Sequence, residues 1–541
     1  MKTITQASKY QQALCHAHLV SNGIDYENLQ GPVIGIVNSF NEVVPGHVTL
    51  RDIADRVKNG VRMQGGLPLE FNTIAVCDGM AQGHDGMKYP LPSREIIADS
   101  IEVMVRAHGI FDGLVFITGC DKITPAMLMA AARLDIPSIF VSGGPGTPRE
   151  PGSQRKAHRQ RYLAGEMSEQ QLAESQLCFY TTPGVCAFFG TATTMLVAAE
   201  TLGLTLSGTS LTPAFTGERF ITAERTGKRI VELVAEDRRP SQIITETALS
   251  NTVAVLAALG GSLNALLHLP AMADALGLPL DWQEFDTVSR RVPLLAGLLP
   301  NGPHHVVDLH YAGGIPAVMK ELGDHVDLNV LTVDAKPLRH HVAAAVNTNP
   351  EVLHSLDQPL QPEGGTAVLR GNLAPEGAIV KQSAVAEDQL VLTAQTRVFE
   401  REEECTAAIL AGEIKENTIL VIRNEGPMGG PGMREMHRIT EMIGRFQRVA
   451  VVTDGRFSGM SGGIAVGYVS PEACLDGPIG LVKDDDTITI DIPKRILKLN
   501  VSEEELEERR TNIVPKPQPA SGYLDRYRRS VGKASRGAIL S

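Results

Sequence analysis

GPVIGIVNS (residues 31–39), HVTLRDIADRVKNGVRMQGG (47–66), FNTIAV (71–76), SREIIADSIEVMVRAHG (93–109), GLVFITG (113–119), TPAMLMAAARLDI (124–136) and SIFVSGGP (138–145) follow one another with little between them. Short apolar runs alternate with segments whose apolar residues return every three or four positions, the pattern of strands and helices in turn. Strands separated by whole helices pair in parallel, so the stretch predicts β-α-β units and a doubly wound α/β domain. Ligands of such sheets gather beyond the carboxyl ends of the strands. Those ends carry Asn38 to His47, Cys77–Asp78, Cys120–Asp121–Lys122 and Ser142–Gly143–Gly144, four groups of polar side chains expected on one rim.

Beyond this core, residues 148–178 are polar and read as a surface excursion with a short helix around Ser168 to Gln176. Helical patterns run from Gly190 to about Leu322. The Pro- and Gly-rich DQPLQPEGG (357–365) has the texture of a linker and sets the expected domain boundary, 1–360 against 361–541. In the second part TAVLRGNLAPEGAIV (366–380), NTILVIRNEGP (417–427), RVAVVTDGRFSG (448–459) and the pair TITIDI/ILKLNV around Pro493–Lys494–Arg495 predict a β-rich domain. Thr247 to Ala275 holds no Lys or Arg and meets its first acid at Asp274, but Asn251, Asn264, His268 and the Gly260–Gly261 break point to a buried helix pair instead of a membrane span.

Bulk properties narrow the function. A chain of 541 residues is expected to hold two or three domains with ample core, and a net charge of -12 disfavours nucleic acid and anionic membranes as partners. The opening MKTITQASKYQQALCHAHLV has no secretory pattern, so a cytoplasmic protein is expected. Seven cysteines, an odd number spread from Cys15 to Cys474, read as reduced thiols and not as a disulfide framework.

Three segments can carry chemistry. FITGCDKITPAMLMAAARLDIPSIFVSGGP (116–145) sets a thiol, a carboxylate and an amine side by side at a strand end before a helix, where the helix dipole favours a thiolate able to ligate soft metal or an iron–sulfur cluster. From this segment alone Cys120 reads equally well as a small buried filler beside a local Asp121–Lys122 pair. A second thiol, Cys186, sits in TTPGVCAFFGTATTM (181–195). Asp78, Asp121 and Glu435 are hard oxygen donors of the kind Mg²⁺ takes, although an acid in a chain with 62 of them ordinarily faces water. RNEGPMGGPGMREM (423–436) is glycine-rich without the spacing of a nucleotide loop, and Ser458 in TDGRFSGMSGG (453–463) reads by default as a solvated turn serine.

Taken together, IGIVNSFNEVVPGH (34–47), the long run EFNTIAVCDGMAQGHDGMKYPLPSREIIADSIEVMVRAHGIFDG (70–113), GCDKITP (119–125), ALGGSLNALLHL (258–269), GGTAVLRGNLAPEGAIVK (364–381), GPGMREM (430–436) and TDGRFSG (453–459) resemble the dihydroxy-acid dehydratase and phosphogluconate dehydratase family over nearly the whole chain. The resemblance implies an N-terminal doubly wound domain, a C-terminal β-barrel-like domain, a site at their junction, and a homodimer or a dimer of dimers. It implies that Cys120 and Cys186 ligate an iron–sulfur cluster, that Asp78, Asp121 and Glu435 bind Mg²⁺ with a carbamylated Lys122, and that Ser458 is the base. The implied reaction is loss of water from a 2,3-dihydroxy acid to give a 2-keto acid. The leading substrate is 2,3-dihydroxyisovalerate, in branched-chain amino-acid biosynthesis; a sugar-acid dehydratase and an inactive binding or assembly subunit are the alternatives.

Gly46 stands where three-cysteine members of the family have a cluster cysteine. That departure favours a 4Fe–4S over a 2Fe–2S cluster and leaves Cys77 or His47 to supply the third ligand, with Cys77 preferred. Leu263, Phe188, Phe189, Tyr468 and HRITEMIGRF (437–446) also depart from the family pattern, and bear on the substrate.

Overall fold

The computed structural model describes residues 6–150, 152–163, 165–444, 446–458, 463–511 and 516–541. Strands β1 (Val33–Asn38), β2 (Leu67–Asn72), β3 (Gly113–Thr118) and β4 (Ser138–Ser142) form a parallel sheet in the order β2-β1-β3-β4. Every residue of β1, β3 and β4 is buried, which is why these three read as unbroken apolar runs. Phe116 and Phe140 stack between β3 and β4 with ring centroids 4.7 Å apart.

The strand expected at FNTIAV (71–76) lies earlier, at Leu67–Asn72. It is one edge of the sheet and, unlike the buried edge β4, partly exposed, so it alternates Leu67, Leu69 and Phe71 with Pro68, Glu70 and Asn72 instead of forming an apolar run. The segment that follows has left the sheet and leads the chain to Cys77.

The sheet runs outward in both directions from β1 and β3. Right-handed crossovers then place the helix after β1 on one face and those after β2 and β3 on the other. The packing agrees: helix Leu50–Met63 lies against Gly217–Glu236, while Pro90–His108 lies against Ile123–Leu134. Glycines permit the first of these contacts, because a Cβ on Gly60 would come within 2.1 Å of Glu224 O and one on Gly227 within 2.0 Å of Val57 O. The reversal of strand order falls between the carboxyl ends of β1 and β3, beside Ser39 and Cys120.

The apolar stretch 247–275 is a helix pair, Glu246–Leu259 and Ala265–Asp274, broken where Gly260 takes φ +65°. No helix among the described residues is long and apolar enough to cross a membrane. The polar excursion holds the expected helix, Glu169–Gln176, capped reciprocally by Ser168 and Gln171, and a second one, Gly152–Leu163.

Eight strands of the C-terminal part close into a barrel: β5 (Ala367–Gly371), β6 (Ala374–Val380), β7 (Val391–Phe399), β8 (Thr418–Ile422), β9 (Val449–Thr453), β10 (Ile464–Ser470), β11 (Thr487–Asp491) and β12 (Ile496–Leu499), in the order β10-β6-β5-β12-β11-β7-β8-β9. Leu369, Ile419, Val452, Val466 and Ile490 belong to its own core cluster. β7, β8 and β9 are mutually parallel, so the loops leaving β8 and β9 start at the same end of the barrel.

Those loops rest on buried acids. Glu472 accepts hydrogen bonds from the Met428 and Gly429 N–H groups at 3.1 and 2.8 Å, and burial, with the Asp454 charge beside it, pushes its carboxyl from 4.5 to about 8. The folded state therefore binds more protons than the unfolded one between those values, and stability falls as pH rises through that window. Thermal melts from pH 5 to 8 should show this decline, and Glu472→Gln should flatten it; an equally steep decline in the variant would assign the effect elsewhere.

Candidate active site

At the switch between β1 and β3, Asn38 Oδ1 accepts the Ser39 and Phe40 N–H groups at 2.8 and 3.1 Å and turns the chain out of the sheet. The turn delivers His47, which is fully buried. Its Nδ1 lies 2.8 Å from Ser39 O and its Nε2 2.9 Å from the Cys120 N–H. A backbone N–H can only donate, so Nε2 accepts and Nδ1 carries the proton. Burial holds this imidazole neutral, its pKa lowered to about 4. Both ring nitrogens are thus engaged, Nδ1 on Ser39 and Nε2 on the Cys120 backbone.

All seven cysteines are free thiols. Burial raises the Cys120 thiol well above its usual range, and charge on Cys77, Asp121, Cys186 and Asp78 raises it further. The expectation that a helix dipole would favour the thiolate is thus reversed by crowding and desolvation. Three thiols gathered so that each charge opposes the next suit a soft cationic centre that takes the place of their protons. Gly46 lets the chain pack directly against them, since a Cβ there would lie 2.7 Å from Cys120 Sγ and 2.9 Å from Val185 Cγ1. Gly46→Ala should therefore push Cys120 or Val185 aside and lower the melting temperature of the apoprotein; an unchanged melting temperature would show that the contact relaxes at no cost.

Next to the thiols lies a buried charge cluster. Lys122 immediately precedes helix Ile123–Leu134, and its Nζ donates to Asp78 Oδ2 at 2.6 Å and stands 4.0 Å from Asp121. Asp78 opens the short helix Asp78–Ala81 after Cys77. From the barrel, Arg456 Nε donates to Met433 O at 2.7 Å, and its terminal nitrogens donate to Glu435 Oε2 at 2.5 Å and Asp78 Oδ2 at 3.4 Å. Glu435 and Arg456 also pair through their backbones.

Asn264 completes this core. Its Nδ2 donates to Glu435 Oε2 at 3.1 Å and Thr191 Oγ1 at 2.8 Å, and its Oδ1 accepts from Arg456 and from the Tyr468 hydroxyl. The Ser458 hydroxyl donates to Glu435. Burial, the largest influence on Glu435, raises its carboxyl, but Arg456, Lys122 and the Ser458 and Asn264 hydrogen bonds leave it below its ordinary value. Asp121 goes the other way, up to about 7, through burial and then the Asp78 charge, with Lys122 opposing.

Asp78 Oδ1 is buried and accepts no hydrogen bond. An idle carboxylate oxygen among mutually repelling acids is what a hard cation satisfies. Among the described residues no three His, Cys, Asp or Glu side chains, thiols included, stand ready as a ligand set, and Lys122 and Arg456 occupy one oxygen each of Asp78 and Glu435.

The cluster thus unites every side chain expected at the site. Ser458 is buried, not a solvated turn residue, while the glycine loop read after it, 459–462, lies outside the described residues. Leu263 and Phe189 are buried, and Tyr468 enters through Asn264. Arg456, Asn264 and His47 were not among the expected site residues; the first two lie inside the quoted TDGRFSG and ALGGSLNALLHL segments, and His47 was weighed only as a ligand.

A family model for the N-terminal part of the dihydroxy-acid/6-phosphogluconate dehydratases matches residues 31–341, and its C-terminal counterpart matches 351–538. A protein of Ignicoccus hospitalis named dihydroxy-acid dehydratase is 49% identical over 531 residues, 96% of each chain. Proteins of the same name from Methanothermobacter thermautotrophicus and Halothermothrix orenii are 46% and 45% identical, covering 100% of this chain and 100% and 99% of their own.

Proposed function

The chain belongs to the dihydroxy-acid/6-phosphogluconate dehydratase family, and we propose that it removes water from a 2,3-dihydroxy acid to leave a 2-keto acid, with 2,3-dihydroxyisovalerate as substrate and branched-chain amino-acid biosynthesis as the setting. The observation that carries this reading is the single buried cluster in which Asp78 and Lys122 of the sheet domain meet Glu435, Arg456 and Ser458 of the barrel part, next to three thiols.

Cys77, Cys120 and Cys186 would hold an iron–sulfur cluster; three thiolates on a 4Fe–4S cluster leave one iron without a protein ligand. Asp78, Asp121, Glu435 and a carbamylated Lys122 would hold Mg²⁺, since a protonated lysine cannot bind a cation. When bound, the cluster supplies a Lewis acid for the departing C3 hydroxyl and Mg²⁺ supplies positive charge for the base and the substrate carboxylate.

The chain's own groups do the rest. Once its own hydroxyl proton has passed along the hydrogen bond to the Glu435 carboxylate, the Ser458 alkoxide oxygen takes the C2 proton, and the same bond orients it. Arg456 fixes Glu435 and Asp78 relative to each other across the two parts of the chain. Burial of all these groups excludes bulk water from the proton transfer. Helix Lys9–Ser21 buries none of its residues and shows Tyr10, Leu14 and Val20 to solvent, which supports a homodimer formed through that face.

The test is anaerobic purification, iron and sulfide analysis, and a keto-acid assay with Mg²⁺ on 2,3-dihydroxyisovalerate and gluconate. Preference for the branched acid is expected; preference for gluconate would transfer the protein to sugar-acid dehydration. Cys77→Ser should lose iron, and full retention would remove Cys77 from the ligand set.

A further inference from the structure

His268 is wholly buried on helix Ala265–Asp274, which packs on the helix that Lys122 immediately precedes. Its Nδ1 lies 3.2 Å from a terminal nitrogen of Arg94. A guanidinium has no acceptor, so Nδ1 accepts and the ring proton is on Nε2. Arg94 is itself immobilised: it donates to Glu95 at 2.6 and 2.8 Å and to Gly537 O and Ala538 O at 2.7 and 2.8 Å. The ring's orientation and tautomer are therefore set from behind.

The Nε2–H so presented has no hydrogen-bond partner although it is completely buried. Burial and the charges of Arg94, Lys122 and Arg456 hold the ring neutral. A fixed, desolvated donor surrounded by cations and offered no acceptor costs stability unless an anion comes to it.

We propose that His268 is a positioning residue whose Nε2–H donates to a carboxylate oxygen of the carbamate on Lys122. This rests on the reading of Lys122 given above. The modification balances as an ammonium plus CO₂ giving a carbamate and two protons. One proton passes from Nζ to Asp78 Oδ2, 2.6 Å away, and on to water, the freed lone pair bonds to the CO₂ carbon, a C=O π pair moves onto oxygen, and the second N–H proton also leaves to water, which returns Asp78 to its carboxylate. Lys122 thereby changes from donor to acceptor, and His268 gains its missing partner.

Two substitutions separate the two ring nitrogens. His268→Asn keeps an acceptor facing Arg94 and removes the Nε2 donor; His268→Gln puts an amide N–H where Nε2–H stands. In protein equilibrated with ¹³C-bicarbonate, a carbamate ¹³C resonance is expected in the parent chain and absent from Lys122→Arg. His268→Asn should need about tenfold or more bicarbonate to regain both resonance and turnover, the worth of one charge-assisted hydrogen bond, with the substrate KM unchanged. His268→Gln should behave like the parent.

A resonance in His268→Asn as strong as the parent's at ambient CO₂ would overturn the proposal. So would a raised KM without any bicarbonate response, which would assign the Nε2–H to the substrate carboxylate. No resonance in the active parent would overturn the Lys122 reading itself.

Discussion

Replacing Ser458 by alanine is expected to cut keto-acid formation by about 10²- to 10⁴-fold, the usual worth of a positioned proton-transfer group, with iron content and melting temperature unchanged. Removal of the hydroxyl takes away the oxygen that receives the C2 proton and frees one acceptor site on Glu435. Glu435 keeps Arg456 at 2.5 Å and Asn264 at 3.1 Å, so the fold loses little. The readout is steady-state turnover on 2,3-dihydroxyisovalerate beside a circular-dichroism melt. Turnover within tenfold of the parent would exclude Ser458 as the base.

Arg456→Met should do the reverse and strike stability first. The guanidinium is the cation that Asp78 and Glu435 share, and all three side chains are buried. Breaking a buried pair by removing one partner leaves uncompensated charge and costs about 3–5 kcal/mol, which urea denaturation would register as a lower midpoint. Arg456→Lys should recover only part of this, because an ammonium on a flexible stem cannot fork to two carboxylates and a carbonyl at once. An unchanged midpoint in the Met variant would mean that other groups carry the balance.

The strands β1, β3 and β4 were legible because burial on both faces leaves an apolar run, whereas β2 was misplaced because a partly exposed edge strand alternates and the apolar residues after it serve the descent to Cys77. The barrel's strands could be read as strands, but its closure could not: β12 with β5 and β9 with β10 depend on pairings that local pattern does not encode. At the site, Cys120, Asp121 and Lys122 were visible as neighbours at a strand end. Arg456, Asn264 and His268 were not, since each is defined by partners 171 to 378 positions away and a buried arginine or histidine looks in sequence like an exposed one. The helix dipole expected to favour a Cys120 thiolate is outweighed by burial and by the negative charges around it, neither of which the segment alone displays.

The clasp on Arg94 also dictates a timetable. Ribosomes deliver Cys77, Cys120 and Cys186 well before Arg456, some 270 residues after the last thiol, and at about 5–20 residues per second that gap is roughly 14–54 s. Throughout it the thiols and the Asp78–Lys122 pair belong to a nascent chain that lacks the arginine meant to cover them. Gly537 and Ala538, whose carbonyls lock Arg94, come later still. Maturation is therefore ordered by synthesis: the three thiols emerge early, open to oxidation, and the polar scaffold that encloses them is finished last.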